Sequence, residues 1–202
     1  MTIYKQALGE DFKRLHIKLQ ERYELPTGTK FRASGVMREI SGGPKWLSPF
    51  FALAVKKKFL FPESGQYIPF TIVNHSFIDE EENLKVHWER TFFFGKKKRY
   101  FNALMGLNKE NLIEDYLGEP ALFYSDLICS VEKNRGMKIV SGKQRFMIGK
   151  WSLPLPRILQ GVVEVFEGYN EDREVFTICV TIRNPLIGRL FFYEGEFRED
   201  DD

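Results

Sequence analysis

From residue 67 onward, the chain is a series of segments in which apolar and polar residues alternate with a period of two. This period is typical of β-strands, because successive side chains of a strand point to opposite faces of a sheet. Polar or glycine-containing turns separate the segments. Long strands joined by short turns favour an antiparallel sheet that curls or closes on itself. The predicted strands cover residues 67–78, 84–94, 99–107, 111–117, 121–132, 137–148, 161–168, 174–183 and 189–198.

The first third of the chain has a helical pattern instead. Residues 2–24 carry one apolar stripe at spacings of three and four, and Gly9 is expected to break this helix into two pieces. A first strand is predicted at 30–40 and a second helix at 45–59. Residues 151–160 interrupt the later strands with two prolines and leave room for one short helical turn at 156–160. The members of the stripe are Leu8, Phe12, Leu15, Leu19 and Tyr23.

We therefore predict an α+β fold in a single domain, 1–202. N-terminal helices occupy 1–25, an antiparallel sheet with one inserted helix at about 45–60 occupies 30–198, and an acidic tail occupies 199–202. The sheet is expected to be strongly curved or to form a lipocalin-like barrel, with the N-terminal helices packed on it. The alternative is a helix-grip fold of the lipid-transfer type. That fold needs a long C-terminal helix, whereas this chain ends in a predicted strand.

Composition and charge limit the classes of partner. The net charge is +2, so no global field favours nucleic acid, and we expect none as a partner. The N-terminus lacks an apolar signal core, and no apolar run approaches the roughly 20 residues that span a bilayer, so we expect a soluble, cytoplasmic protein. Metal-ligand spacings and glycine-rich phosphate loops are missing from the sequence, so we expect no metal and no cofactor.

A basic hairpin tip is the one segment for which we predict a weak membrane-surface contact. Lys96, Lys97, Lys98 and Arg99 follow an aromatic strand, and such a tip attracts anionic lipid. The alternative interpretation is a solvated turn whose charges face water.

A single charge interrupts the apolar register of the segment LKVHWERTFFF, residues 84–94. Arg90 shares a face with Trp88 and Phe92, because side chains two apart in a strand point the same way. An unpaired guanidinium is very costly to bury, so Arg90 must find a carboxylate, a phosphate or an aromatic face. The segment therefore marks a candidate site without naming a reaction.

Other charges also fall on apolar registers. Glu114 shares a face with Leu112 and Tyr116, and Arg145 and Glu164 occupy similar positions in later strands. We expect a curved sheet to bring Arg90 to Glu114 and Arg145 to Glu164. These groups either line a polar cavity, or form structural pairs or a solvated face.

Three functional hypotheses follow from this arrangement. The preferred one is a non-catalytic module that binds a small apolar or amphipathic acidic ligand in the barrel interior, where Arg90 neutralises the head group. The second is an enzyme with Glu114 as acid or base and Arg90 as an oxyanion or carboxylate clamp. The third is a structural or interaction domain with Arg90 and Glu114 as an internal strut. The predicted ligand-binding residues are Trp88, Arg90, Phe92, Glu114, Arg145 and Tyr193.

The order of these landmarks resembles a bacterial family that carries domain of unknown function 4166. The resemblance has no established activity to transfer. Some relatives join a similar domain to a nucleotide-binding, reductase-like domain that these 202 residues do not contain, so we expect no redox role. The segments that carry the resemblance are 3–24, SGVMREI at 34–40, WERTF at 88–92, EDYLG at 114–118, LPLPRIL at 153–159 and NPLIGRLFFYEGEF at 184–197. It draws attention to Trp88, Arg90, Glu114, Gly188, Tyr193 and Gly195.

Overall fold

The computed structural model describes residues 1–149 and 151–200, and within them the predicted sheet closes into an antiparallel barrel. Its strands are β1 (Lys30–Ser41), β2 (Gly65–Ile78), β3 (Leu84–Phe94), β4 (Lys97–Tyr100), β5 (Ala103–Leu107), β6 (Ile113–Leu117), β7 (Phe123–Val131), β8 (Met137–Ile148), β9 (Trp151–Pro154), β10 (Val162–Asn170), β11 (Val175–Asn184) and β12 (Gly188–Glu199).

Closure depends on the pairing of β8 with β10. Neighbouring strands follow the order β10-β11-β12-β1-β2-β3-β5-β6-β7-β8, and β8 returns to β10 with Val140 opposite Glu164 and Met137 opposite Glu167. Ten strands of the described chain thus form a ring, while the short strands β4 and β9 pair alongside the ends of β3 and β8. The predicted lipocalin-like barrel is confirmed. The helix-grip alternative is wrong, because the described sheet closes on itself through β8 and β10 and surrounds a packed hydrophobic core.

Two short helices and a 3-10 turn close one end of the barrel, which we call the helical end. They are α1 (Ile3–Leu8), the 3-10 turn Gly9–Arg14 and α2 (Ile17–Tyr23). The predicted break occurs at Gly9, whose φ of 55° is accessible to glycine at little cost. The N–H of His16 donates to the carbonyl of Arg135 at 2.8 Å, which ties these helices to the β7–β8 turn.

The inserted helix closes the opposite end, which we call the α3 end. A 3-10 turn, Lys45–Leu47, leads into α3 (Ser48–Lys56), whose Phe51 is buried. The chain after α3 is fixed by two backbone bonds: the N–H of Glu119 donates to the carbonyl of Lys57 at 2.7 Å, and that of Asn102 to Lys58 at 2.8 Å. Within residues 1–149 and 151–200, none of the helices has the length and apolar character needed to cross a bilayer.

Three predicted elements differ in detail from the structure. The segment 99–107 is two strands, because Phe101 and Asn102 bond to Arg90 between them instead of continuing one ladder. The Phe101 carbonyl accepts from Arg90 Nε, and the side-chain Oδ1 of Asn102 accepts from the Arg90 backbone N–H. The strand β9 was not predicted, although the helical turn after it is present at Arg157–Leu159. The predicted acidic tail is wrong at Glu199, which ends β12, and residues 201–202 lie outside the described chain.

Close contact between the first and last strands shapes one side of the wall. Gly195 pairs with Met37, and a Cβ at Gly195 would lie 2.3 Å from the carbonyl oxygen of Val36. Backbone atoms cannot move aside without breaking the ladder, so only glycine fits at this position.

We predict that Gly195→Ala lowers the free energy of unfolding by about 1–3 kcal/mol, because the added methyl overpacks the strand pair. Urea unfolding measures the change. Gly168→Ala is the matched control, since its Cβ would meet only the rotatable hydroxyl of Thr177 at 2.9 Å. Equal losses in the two variants would contradict the explanation from backbone contact.

Candidate functional site

Arg90 lies inside the barrel, on the face that the alternation of β3 predicts. Its Nε donates to the carbonyl of Phe101 at 2.7 Å, and its Nη1 donates to the Tyr193 hydroxyl at 3.3 Å. The guanidinium carbon stands 4.1 Å from the centre of the Phe101 ring. Arg90 is therefore held by a carbonyl, a hydroxyl and an aromatic face.

Four of the predicted site residues do come together in the interior. Trp88 and Arg90 lie side by side, with 5.5 Å from the guanidinium carbon to the indole. Phe92 and Tyr193 are fully buried, and their ring centres are 5.3 Å apart. These side chains pack against one another and against further aromatic rings, so they form part of the core.

The expected pair of Arg90 with Glu114 is not formed. Glu114 faces outward, where it accepts a hydrogen bond from the Tyr116 hydroxyl at 3.0 Å and lies 3.8 Å from Lys85 Nζ. The other register of β6 is buried, and it carries Asp115 into the interior. Both registers of this strand contain apolar residues, so alternation alone did not decide which one faces the core.

The expected pair of Arg145 with Glu164 is also not formed. A β-bulge in the pairing of β7 with β8 changes the register, so Arg145 is exposed. Its guanidinium carbon lies over the Tyr124 ring, 5.4 Å from the ring centre. An extra residue in one strand turns every following side chain to the other face. Glu164 lies outside the barrel with 3.7 Å from its Oε1 to Lys138 Nζ.

The interior contains an ion pair that was not predicted. Arg22 enters from α2 with its side chain fully buried and donates to Glu167 of β10, and the Tyr23 hydroxyl donates to the same carboxylate oxygen. The sequence held a signal for each partner. Arg22 follows Leu15 and Leu19 on the helical stripe, and Glu167 follows Val163 and Val165 on a strand register.

Burial changes the acidity of these groups. Burial by itself would lower the pKa of Arg22, but the Glu167 carboxylate together with Tyr23 and Tyr4 outweighs it and the pKa is raised. Burial raises the pKa of Asp115 to about 7, although the positive charge of Arg90 opposes this rise. Burial likewise raises the pKa of Tyr193, against the charge of Arg90.

A small cavity of about 40 Å³ lies between these charged groups, with Arg90, Asp115 and Glu167 in its wall. Asp115 Oδ1 and Glu167 Oε1 accept no hydrogen bond from any described residue. The space suits a few water molecules and is far below the usual size of a ligand pocket. The surroundings of Arg90 are therefore a packed, charged core.

A larger and mainly apolar cavity of about 100 Å³ lies beneath α3. Phe50 and Phe51 of α3 line it together with Leu155 and Leu159 of the segment before β10. The side-chain amide of Gln144, which also faces the cavity, is already bonded to the backbone of Gly161 at 2.7 and 3.1 Å. The cavity thus has a mainly apolar surface that suits an apolar group, and the Gln144 amide in its wall is already hydrogen-bonded.

A histidine–carboxylate contact lies on the outer surface near the same end. Glu119 Oε1 is 2.7 Å from His87 Nε2 and accepts from Asn102 Nδ2 at 2.8 Å, while its Oε2 accepts from Lys58 Nζ at 2.6 Å. Burial alone would raise the pKa of Glu119, but the hydrogen bonds outweigh it and lower the pKa. The Glu119 carboxylate therefore anchors the segment after α3 through Lys58.

No cluster of three or more metal-ligating side chains suited to an ion occurs among residues 1–149 and 151–200.

Comparison with known proteins agrees with the resemblance seen in the sequence. A family model described as a domain of unknown function (DUF4166) matches residues 15–197. The chain is 40% identical over 201 residues to the uncharacterized protein YndH of Bacillus subtilis (strain 168), and the match covers 99% of this chain and 98% of that relative. No solved structure matches the chain.

We predict that Glu167→Leu destabilises the protein by about 3–5 kcal/mol, because it leaves the Arg22 charge buried without a partner. The double variant Arg22→Met/Glu167→Leu should recover most of this loss, since it removes both charges. Urea unfolding of the single and double variants measures the difference. Glu10→Leu, which removes an exposed pair with Lys13, is the control and should change stability little. A double variant as unstable as the single one would contradict the role of the unpaired charge.

The pKa of Asp115 predicts a fall in stability as the pH rises from about 4 to about 7. Folded Asp115 keeps its proton in this window while the unfolded chain loses it, so the stabilising contribution is complete below about pH 4 and gone above about pH 7. Asp115→Asn should flatten the plot of unfolding free energy against pH in that window. Asp79→Asn is the control, because the pKa of Asp79 is lowered and its titration falls below the window. A slope that Asp115→Asn leaves unchanged would contradict the assignment.

Proposed function

The chain belongs to the DUF4166 family, whose description names no activity, and we propose from the geometry that it binds the apolar part of a small amphipathic ligand in the cavity beneath α3. The cavity itself is the observation that supports this proposal. An apolar cavity of about 150 Å³ in another protein stays dry and takes up benzene. A space of about 100 Å³ suits the end of an alkyl chain.

Energetics favour occupation of this space. A cavity in a packed core costs about 24 cal/mol per Å³, so a void of this volume costs about 2 kcal/mol. An alkyl group that enters regains the lost contacts and removes its own apolar surface from water. The ligand therefore contributes packing that the protein alone lacks at the α3 end.

The packing around the buried arginines argues for entry of the apolar tail first. Arg22 is paired with Glu167, and Arg90 is held by the Phe101 carbonyl and the Tyr193 hydroxyl. The space of about 40 Å³ beside them is too small for an acidic head group with its chain. The head group instead stays at the mouth of the cavity. Exposed basic residues flank that mouth, with Lys45 close in sequence to Leu47 and Arg157 close to Leu159. Placing the head group at the mouth replaces the hypothesis in which Arg90 neutralises it inside the barrel.

Entry requires the cover of the cavity to move. The chain after α3 is held by the bonds at Lys57 and Lys58 and by Glu119, whereas Leu47 at the start of α3 makes no side-chain capping bond. Opening from the beginning of α3 disturbs fewer polar contacts than opening from its end. We therefore place the hinge at the C-terminal end of α3.

Neither other hypothesis retains the feature on which it was based. Glu114 lies outside the barrel beside Lys85, so it cannot act with Arg90 as acid or base in the interior. The internal strut is formed by Arg22 with Glu167 rather than by Arg90 with Glu114.

Calorimetric titration with decanoate tests the proposal. Wild-type protein should bind with a negative heat-capacity change, which is the mark of apolar burial. Leu155→Trp fills the cavity and should weaken binding roughly thirtyfold, equivalent to the loss of about 2 kcal/mol. Ile128→Trp adds the same bulk on the exposed face of β7 and should bind like wild type. Failure of wild type to bind, or equal binding by Leu155→Trp, would overturn the proposal.

A further inference from the structure

The two ends of the barrel carry opposite charge, although the net charge of the chain is only +2. The connections at the α3 end contain nine lysines and arginines and two carboxylates in residues 41–64, 95–99, 118–122, 151–161 and 185–187. The connections at the helical end contain four basic residues and ten carboxylates in residues 24–29, 79–83, 108–112, 132–136 and 171–174. The helical segment 1–23 adds five basic residues and three carboxylates, so carboxylates remain in excess at this end. Strand direction thus sorts the charges into a basic end and an acidic end.

Large apolar side chains are exposed at the basic end. We call them the apolar collar, and each is at least half exposed. Asn184 brings two parts of the collar together, since its Nδ2 donates to the carbonyl of Ile158 at 2.8 Å and its Oδ1 accepts from the N–H of Leu186 at 3.0 Å. The collar consists of Trp46 (65% exposed), Trp151 (80%), Leu153 (55%), Ile158 (52%), Leu159 (63%) and Leu186 (70%).

We propose that the α3 end docks on an anionic lipid bilayer. Tryptophan and leucine side chains enter the interface between head groups and acyl chains, and each lysine or arginine near such a surface adds about 1 kcal/mol of attraction. A nucleic acid would use the basic residues but would leave the exposed leucine and isoleucine side chains in water. The combination of charge and apolar surface therefore favours a bilayer.

The basic hairpin predicted from the sequence belongs to this surface, with one change. Lys96 and Lys97 are exposed, and Lys98 Nζ lies 5.6 Å from the centre of the Phe93 ring. Arg99 is paired with Glu63 at the same end and is therefore used within the fold. The contact is carried by the three lysines together with Lys45, Lys56 and Arg157.

Docking also explains the position of the cavity. Leu159 belongs both to the collar and to the cavity wall, and Leu47 in that wall follows Trp46. A bilayer against the collar therefore faces the mouth of the cavity. This inference rests on the proposed function only where it names the source of the ligand, an acyl chain taken from the membrane. The docking itself rests on the charges and the collar.

Flotation with phosphatidylcholine vesicles, with and without phosphatidylglycerol, tests the docking. The protein should float with the anionic vesicles, and added salt should release it by screening. Tryptophan fluorescence gives a second readout, because Trp46 and Trp151 are exposed while Trp88 is 2% exposed. Emission should shift to the blue on anionic vesicles and should not shift in Trp46→Ala/Trp151→Ala.

Matched variants separate the collar from the charges. Trp46→Ala/Trp151→Ala should abolish flotation, whereas Ile17→Ala/Ile78→Ala removes exposed apolar groups near the acidic end and should float like wild type. Lys96→Ala/Lys97→Ala should weaken vesicle binding by about fivefold for each lysine removed. Lys109→Ala/Lys133→Ala, at the acidic end, should leave binding unchanged.

Several results would overturn the inference: no flotation with anionic vesicles, equal flotation of the collar variant, or binding to duplex DNA in place of vesicles. Failure of the proposed function is a separate result. Docking without decanoate binding leaves the membrane inference standing, and Leu155→Trp should still float. Decanoate binding without flotation supports the cavity proposal and rejects the bilayer as the source of its ligand.

Discussion

The pairing of β8 with β10 joins the two ends of the sheet and closes the barrel. It removes the two unpaired edges that an open sheet would expose, and it gives the chain an inside and an outside. The register of each strand then decides whether a charged residue faces the core or the solvent. Because the interior is shielded from bulk water, an inward ionisable group needs a partner or is favoured in its neutral form.

The two ends of the interior solve this requirement in different ways. Near the helical end, Arg22 from α2 meets Glu167, so the cap and the wall are joined by a buried ion pair. Near the α3 end the interior is apolar and incompletely filled beneath Phe50 and Phe51. The same division is seen outside, where carboxylates dominate one end and lysines the other. Internal polarity and surface charge thus both distinguish the tightly closed end from the end that we propose to open.

Individual strands differ in how well their alternation predicts which side chains are buried. β3 alternates strongly, and its inward set with Trp88, Arg90 and Phe92 was predicted correctly. In β6 both registers hold apolar residues, so Glu114 was placed inside when Asp115 is the buried carboxylate. Arg145 was misplaced for another reason. A bulge changes the register of β8, and the local sequence pattern did not predict its position.

Local patterns were enough to predict the antiparallel strands, the broken N-terminal helix, the inserted helix and the family resemblance, because each depends on periodicity, turn residues or motif order. The ring closure and the register of the ambiguous strands follow instead from the three-dimensional pairing of the strands. So does the contact between Arg22 and Glu167, which are 145 residues apart in the chain. Contacts of this kind follow from how distant strands pair, and a chain's local pattern carries little information about that pairing.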